Sequence, residues 1–250
     1  MADNFTFKRV EKKYLLSEDK YNRLLERLEP YMQLDEYGLH TICNIYYDTP
    51  DYDLIRTSID KPVYKEKLRL RSYGIPDLDS KVFLEIKKKY DGIVYKRRIS
   101  LTLEEAEKYL AGESRLRNGQ IENEIDYFVK FYKPVPKMYI AYDRMAYFGK
   151  KDSALRMTFD KNIRSREDSL RLQDGDEGRL LLDKEYRLLE IKVAGAFPIE
   201  IARILSELEI YPVSFSKYGN IYKSKMKDCA AGIACQSQQE NDYMYEYSMA

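Results

Sequence analysis

Histidine is almost missing from this chain: of 250 residues one is His, at position 40, and none is Trp. A lone imidazole leaves no partner for a paired-His metal site or a His-dependent proton relay, so His40 reads as a structural residue. Cysteine is scarce as well. Cys43, Cys229 and Cys235 are odd in number, far apart and without a CxxC pair, which argues against a disulfide framework, a zinc site or redox chemistry. No stretch approaches the ~18 consecutive apolar residues of a membrane helix. The charged start MADNFTFKRVEKK lacks the apolar core of a signal peptide, so the expectation is a cytoplasmic protein without a transmembrane segment. Glycine loops that cradle phosphates are absent: Gly149-Lys150 follows Phe148 with no following Ser or Thr, and there is no GxGxxG. Nor does one sign of charge prevail. Lys and Arg number 43 against 42 Asp and Glu, which excludes a uniformly basic nucleic-acid coat.

What is present is globular in composition, 44% hydrophobic and 34% charged. The length allows one large domain or two small ones, and with no repeat and no Pro/Ser-rich linker a single domain over residues 1–228 is expected. Residues 229–250 lose periodicity and become polar and Tyr-rich, and read as a loosely ordered tail. Short runs alternating at period two, punctuated by Gly, Pro, Asp or Asn, predict strands at 5–14, 41–48, 63–73, 81–90, 93–100, 137–148, 154–161, 179–183 and 186–194. Asp91-Gly92 is a tight hairpin signal. Helices interrupt the series: one after the cap Ser17, one after the Thr102/Glu105 capping box, one over 120–132 and one opened by Pro198.

The strands are unusual in their charged faces. In YKEKLRLRS, Lys65, Lys67, Arg69 and Arg71 fall on one side and Leu68 and Leu70 on the other; in VFLEIKKK, Glu85, Lys87 and Lys89 oppose Leu84 and Ile86. Lys96 and Arg98, Tyr142 and Arg144, Arg156 and Asp160, and Glu190 and Lys192 repeat the pattern, and the first strand adds Arg9, Glu11 and Lys13. On any one strand this is an ordinary solvated face. Repeated over six strands, with apolar helices available to cover the outside, it predicts cations facing inward, in an α+β fold built on an antiparallel, eight-stranded, tunnel-forming β-barrel with flanking helices. A lumen crowded with like charges is costly when empty and so predicts a polyanionic ligand. Glu11, Glu85, Glu190 and Asp160 are of the type that holds a hard divalent cation, or else they neutralise neighbouring cations.

These motifs, RVEKKY, KLRLR, FLEIK, KRR at 96–98, YDR at 142–144, LRMTFD and LLEIKV, together resemble the triphosphate tunnel metalloenzymes, and within them the catalytic domain of VTC-type polyphosphate polymerases and their stand-alone bacterial relatives, over residues 5 to 226. The resemblance implies a tunnel in which ATP and a growing inorganic polyphosphate chain bind end to end with Mn²⁺ or Mg²⁺. It implies catalytic roles for Lys67, Arg69, Arg71, Lys87, Arg98, Arg144 and Arg156. Substrate contacts would come from Arg9, Lys13, Lys96, Tyr142, Lys192 and, in SFSKY, Ser216 and Lys217, and metal binding from Glu190 with Glu11 and Glu85. Ser214 stands where some members carry an additional lysine, and the SPX domain and membrane helices of the eukaryotic enzymes have no counterpart in these residues.

Two other functions stay open at this point. A tripolyphosphatase or nucleoside triphosphatase would use the same tunnel with water as nucleophile, oriented by Glu11 or Glu85. A noncatalytic polyanion or RNA binder would exploit the 24 tyrosines interleaved with Lys and Arg, although these are spread over the chain rather than gathered on one platform. QDGDEG at 173–178 does not have calcium-loop spacing, and Asp48, Asp51 and Asp53 read as turn and capping residues.

Overall fold

The computed structural model describes residues 10–91 and 93–230, so Arg9, Gly92 and the tail beyond 230 lie outside the described residues. Its elements run β1 (Val10–Leu16), α1 (Glu18–Leu28), β2 (Met32–Leu34), β3 (His40–Asp48), α2 (Asp53–Ile59), β4 (Tyr64–Tyr73), β5 (Lys81–Tyr90), β6 (Ile93–Thr102), α3 (Leu103–Leu110), α4 (Gln120–Tyr132), β7 (Val135–Gly149), β8 (Arg156–Arg166), β9 (Arg179–Leu180), β10 (Arg187–Val193), α5 (Ile199–Glu207) and α6 (Lys217–Ala230). Local chemistry explains the boundaries. The Ser17 hydroxyl accepts from the Lys20 amide at the start of α1, and Thr102 and Glu105 form the reciprocal capping box that opens α3. Pro198 sits at the N-cap of α5.

The strands form one antiparallel sheet in the order β1-β10-β8-β7-β3-β4-β5-β6, with β2 and β9 added to β7 and β8. This is the eight-strand path expected, but among the described residues the hydrogen-bond ladder does not close: β1 and β6 each pair on one side only. Side chains bridge the seam instead: Glu11 of β1 lies 4.0 Å from Lys87 Nζ of β5. Helices pack on the convex face in two groups. One apolar cluster packs α3 and α4 on β3 to β7 through Leu68, Leu84, Ile86, Ala106, Ile125 and Phe128. A second packs α1 and α5 on β1, β8 and β10 through Leu16, Leu24, Met157, Ile191 and Ile204. No residue belongs to both clusters, so each edge strand is held by its own helices.

The concave face carries a third cluster. Here α2 and α6 set Ile55, Tyr218, Ile221 and Tyr222 against Ile42, Tyr46, Met138, Ile140 and Leu188. Sequence alternation placed every helix outside, and α2 and α6 depart from this because they find a patch of inward-facing apolar residues on β3, β7 and β10. Asp48 fixes the plug. Fully buried, its carboxylate accepts from the amides of Thr49, Leu54 and Ile55 at the head of α2 and from the Tyr218 hydroxyl of α6.

Because Phe128 is 1% exposed within the first cluster, Phe128→Ala is expected to lower the unfolding free energy by about 3–5 kcal/mol in a urea titration. Phe131→Ala, on the exposed side of α4, is expected to cost less than about 1 kcal/mol.

Candidate active site

Residues paired across an antiparallel ladder share a face, so the register alone assembles the lumen. Glu11 pairs Lys192 and Lys13 pairs Glu190; Lys192 pairs Arg156 and Glu190 pairs Thr158. Arg156 and Asp160 oppose Phe148 and Arg144 on β7, and Tyr142 opposes Ile42 on β3. Asn44 opposes Arg71, Tyr46 opposes Arg69, which continues through Glu85 to Arg98, and Lys67 continues through Lys87 to Lys96. Every expected site residue on a described strand therefore lies on one continuous face. Ser216 and Lys217 join it from the start of α6: Lys67 Nζ is 3.5 Å from Ser216 Oγ, and Lys13 Nζ donates to the Phe215 carbonyl at 3.0 Å.

Buried carboxylates organise the cations into groups. Glu85, 1% exposed, receives Arg69 and Lys96 at 2.7 Å each and lies 3.8 Å from Arg71. Burial alone would raise its pKa, but Arg69, Arg71 and Lys96 outweigh this and hold the carboxyl well below the usual range. Asp160 takes a two-pronged bond from Arg144 at 2.6 and 2.8 Å and a further 2.6 Å bond from Lys217. Against the upward effect of burial, those two cations bring Asp160 down to about 2. Glu190 pairs with Lys192 and Lys13, which likewise keep it far down despite burial. Arg71 donates to Asn44 Oδ1 at 2.9 Å and to the Tyr142 hydroxyl at 3.1 Å. Burial pushes the Tyr142 phenol up, yet Arg71, Arg144 and Lys217 bring it to about 8.

The remaining cations are less completely neutralised. Among the described residues Arg98 and Arg156 make no ion pair and lie over the Phe83 and Phe148 rings, at 4.7 and 5.6 Å from their centroids. Enclosure brings Lys67 down to about 8, with Lys65, Lys87 and Lys13 adding to the effect and Tyr46 opposing it. It brings Lys96 to about 7 in spite of Glu85. Lys87 and Lys96 keep 47% and 42% of their side chains accessible from the lumen. An empty lumen thus holds unneutralised positive charge, which a string of phosphates would neutralise.

Among the described residues no three His, Cys, Asp or Glu side chains come together. Glu11 and Glu190 nevertheless share one ammonium, at 3.4 and 3.5 Å from Lys13 Nζ. Two carboxylates converging on a single positive charge suit a hard divalent cation completed by phosphate and water oxygens. Glu85 stands apart from this pair, its oxygens committed to Arg69 and Lys96, and it works here as an anchor of cations. Asn44 and Tyr46 belong to the site although the sequence did not single them out. The one amide in the otherwise apolar run ICNIYY was the available signal: Asn44 is buried and donates to the Ile140 carbonyl at 3.0 Å while receiving Arg71.

An antiparallel sheet curled round a cation-lined lumen, with convex helices and a carboxylate pair, is the architecture of the triphosphate-tunnel fold. Solved structures of that fold are similar to this chain. A candidate adenylate cyclase from Bacillus halodurans superposes with a TM-score of 0.53 at 16% identity, covering 83% of this chain and 93% of that one. A candidate adenylyl cyclase from Hippeastrum with a dominant triphosphatase activity gives 0.52 at 16% identity, covering 86% and 96%. No curated protein matches. The chain matches the VTC domain over residues 8–226 and belongs to that family of triphosphate tunnel metalloenzymes.

Two pH effects are expected. Asp160, Glu85 and Glu190 are held below their unfolded values, so the stability they contribute is complete above those values and is lost as the pH falls. The unfolding free energy should therefore drop from about pH 4 through about 2, and Asp160→Asn should flatten this slope in acid denaturation. The lowered amines of Lys67 and Lys96 must be protonated to hold phosphate. Tripolyphosphate affinity, followed by calorimetry, should weaken as the pH rises through about 7 to 8, with proton uptake on binding, and the double variant Lys67→Arg/Lys96→Arg should bind without that dependence.

Proposed function

We propose that this chain is a metal-dependent polyphosphate polymerase, moving the γ-phosphoryl group of ATP onto the end of an inorganic polyphosphate chain and releasing ADP. The observation that carries the reading is the VTC-domain match across the same strands whose register builds the cationic lumen. Phosphoryl transfer asks little covalent chemistry of a protein; it asks for alignment and for neutralisation of the charge on the oxygens. Arg69, Arg71, Lys87, Lys96 and Arg98 would grip phosphate oxygens from one wall, and Arg144, Arg156 and Lys192 from the other. The attacking group is an already ionised terminal phosphate oxygen of the chain. As its bond to the γ-phosphorus forms, the bond from that phosphorus to the β,γ-bridging oxygen breaks and ADP keeps the electron pair, so no general base is required. Glu11 and Glu190 would hold a divalent cation, Mn²⁺ or Mg²⁺, which when bound supplies further charge neutralisation to the phosphates. Enclosure keeps competing water from the reacting phosphorus.

The second reading is a triphosphatase, favoured by the activity named for the Hippeastrum structure. There water must be oriented and must lose a proton. Glu85 is poorly suited to that task, because Arg69, Arg71 and Lys96 hold its carboxylate as a weak base, which leaves Glu11 as the candidate.

Incubation with ATP and Mn²⁺ or Mg²⁺, with and without a short polyphosphate primer, separates the two: long chains with stoichiometric ADP and little free phosphate support the polymerase, and free phosphate without chains supports the hydrolase. Arg98→Ala, at an exposed lumen position, is expected to lower turnover roughly 10²- to 10³-fold with unchanged thermal stability. Glu190→Gln is expected to abolish metal-dependent turnover.

A further inference from the structure

The cationic face does not stop at the ring of residues assigned above. One step beyond the Lys67, Lys87, Lys96 layer, β4 and β5 set Lys65 directly opposite Lys89, with Val94 of β6 alongside. Like charges facing each other across a ladder destabilise a sheet, and a protein ordinarily places a carboxylate between them. It does so on the outer face of the adjoining β5–β6 hairpin, where Lys88 and Arg97 share Glu124. On the inner face there is none: among the described residues Lys65 and Lys89 make no ion pair, and Lys65 donates only to the Ser58 carbonyl, at 3.0 Å. That one bond leaves two of its three N–H groups for a ligand. Lys61, from the loop after α2, adds a third charge near Lys65, since Lys89, Lys61 and Lys87 all oppose its protonation after burial has done so. The apolar cluster of the α2/α6 plug takes no residue from β5 or β6, and α2 reaches the β4 side of this wall at Lys65 through the Ser58 carbonyl.

We propose that Lys65 and Lys89, with Lys61, form a continuation of the tunnel that binds the trailing phosphates of a long inorganic polyphosphate and makes this end selective for polymer over triphosphate. The proposal rests on the polyphosphate reading above and extends it to the substrate's length. At ~3.4 Å per strand residue, the six residues from Arg71 back to Lys65 span ~20 Å. A triphosphate held among Arg69, Arg71 and Arg98 falls short of that distance, whereas a chain of many phosphates covers it. Unpaired lysines at this layer weaken the empty protein and are compensated only when the ligand is long.

The test is equilibrium binding of tripolyphosphate and of inorganic polyphosphate many tens of phosphates long, without ATP, over a series of salt concentrations. It compares the wild-type chain with Lys65→Gln/Lys89→Gln. The double variant is expected to bind tripolyphosphate within about twofold of wild type, which also reports an intact lumen. It should bind the long chain about tenfold more weakly, with a log-log salt slope shallower by roughly one to two. Equal weakening of both ligands, or of neither, overturns the proposal. A wild-type chain that holds the long polymer no better than tripolyphosphate overturns the polymerase reading itself, whatever the variant does.

Discussion

Repulsion between like charges is the constraint around which the concave face is arranged. Antiparallel pairing forces Arg69 and Arg71, Lys67 and Lys87, and Arg144 and Arg156 into one enclosed space that α6 enters with Lys217, and there each cation raises the free energy of the next. Three buried carboxylates offset part of that cost. Glu85 gathers Arg69, Arg71 and Lys96; Asp160 gathers Arg144 and Lys217; Glu190 gathers Lys13 and Lys192. Removing any one would leave its cations buried and uncompensated, a larger loss than the pair's own net contribution. The carboxylates also orient: a guanidinium held from behind presents its remaining N–H groups to the lumen, so the phosphate-binding geometry exists before a ligand arrives.

The neutralisation is incomplete by construction, and that incompleteness links stability to function. Arg98 and Arg156 rest on aromatic rings rather than carboxylates, and Lys67 and Lys96 sit in surroundings that ease their protons off near neutral pH. A bound triphosphate supplies the missing negative charge, so binding and stabilisation are one event. Glu11 and Glu190 differ from the other carboxylates in converging on a single ammonium, that of Lys13.

Support for this face comes from outside and from one end. Two separate apolar clusters pin the two edges of the sheet to different helices, and the tube is completed by side chains across the seam. The α2/α6 plug closes part of the concave face with tyrosines and isoleucines, and Asp48 ties it down through four hydrogen bonds that reach both helices. That carboxylate accounts for the proximity of Ser216 and Lys217 to the lumen: they immediately precede the residue, Tyr218, that Asp48 holds.

Much of this was legible in the chain itself. Period-two alternation in KLRLR, FLEIK and LLEIK marked which residues share a face, and the caps at Ser17 and Thr102 marked two helix starts, because these are local consequences of backbone geometry and donor satisfaction. The motif set also pointed to the family and its fold. What alternation could not supply was the destination of α6, whose apolar residues suit an outer or an inner surface equally well. Nor could it supply the division of labour among the carboxylates: Glu85 and Glu190 sit in the near-identical contexts LEIKK and LEIKV, yet one anchors cations and the other shares an ammonium with Glu11. Asn44 and Tyr46 were hidden for the same reason. A residue's face is set within its own strand, whereas its partners are set by which strand lies beside it, and that pairing exists only once distant segments are brought together.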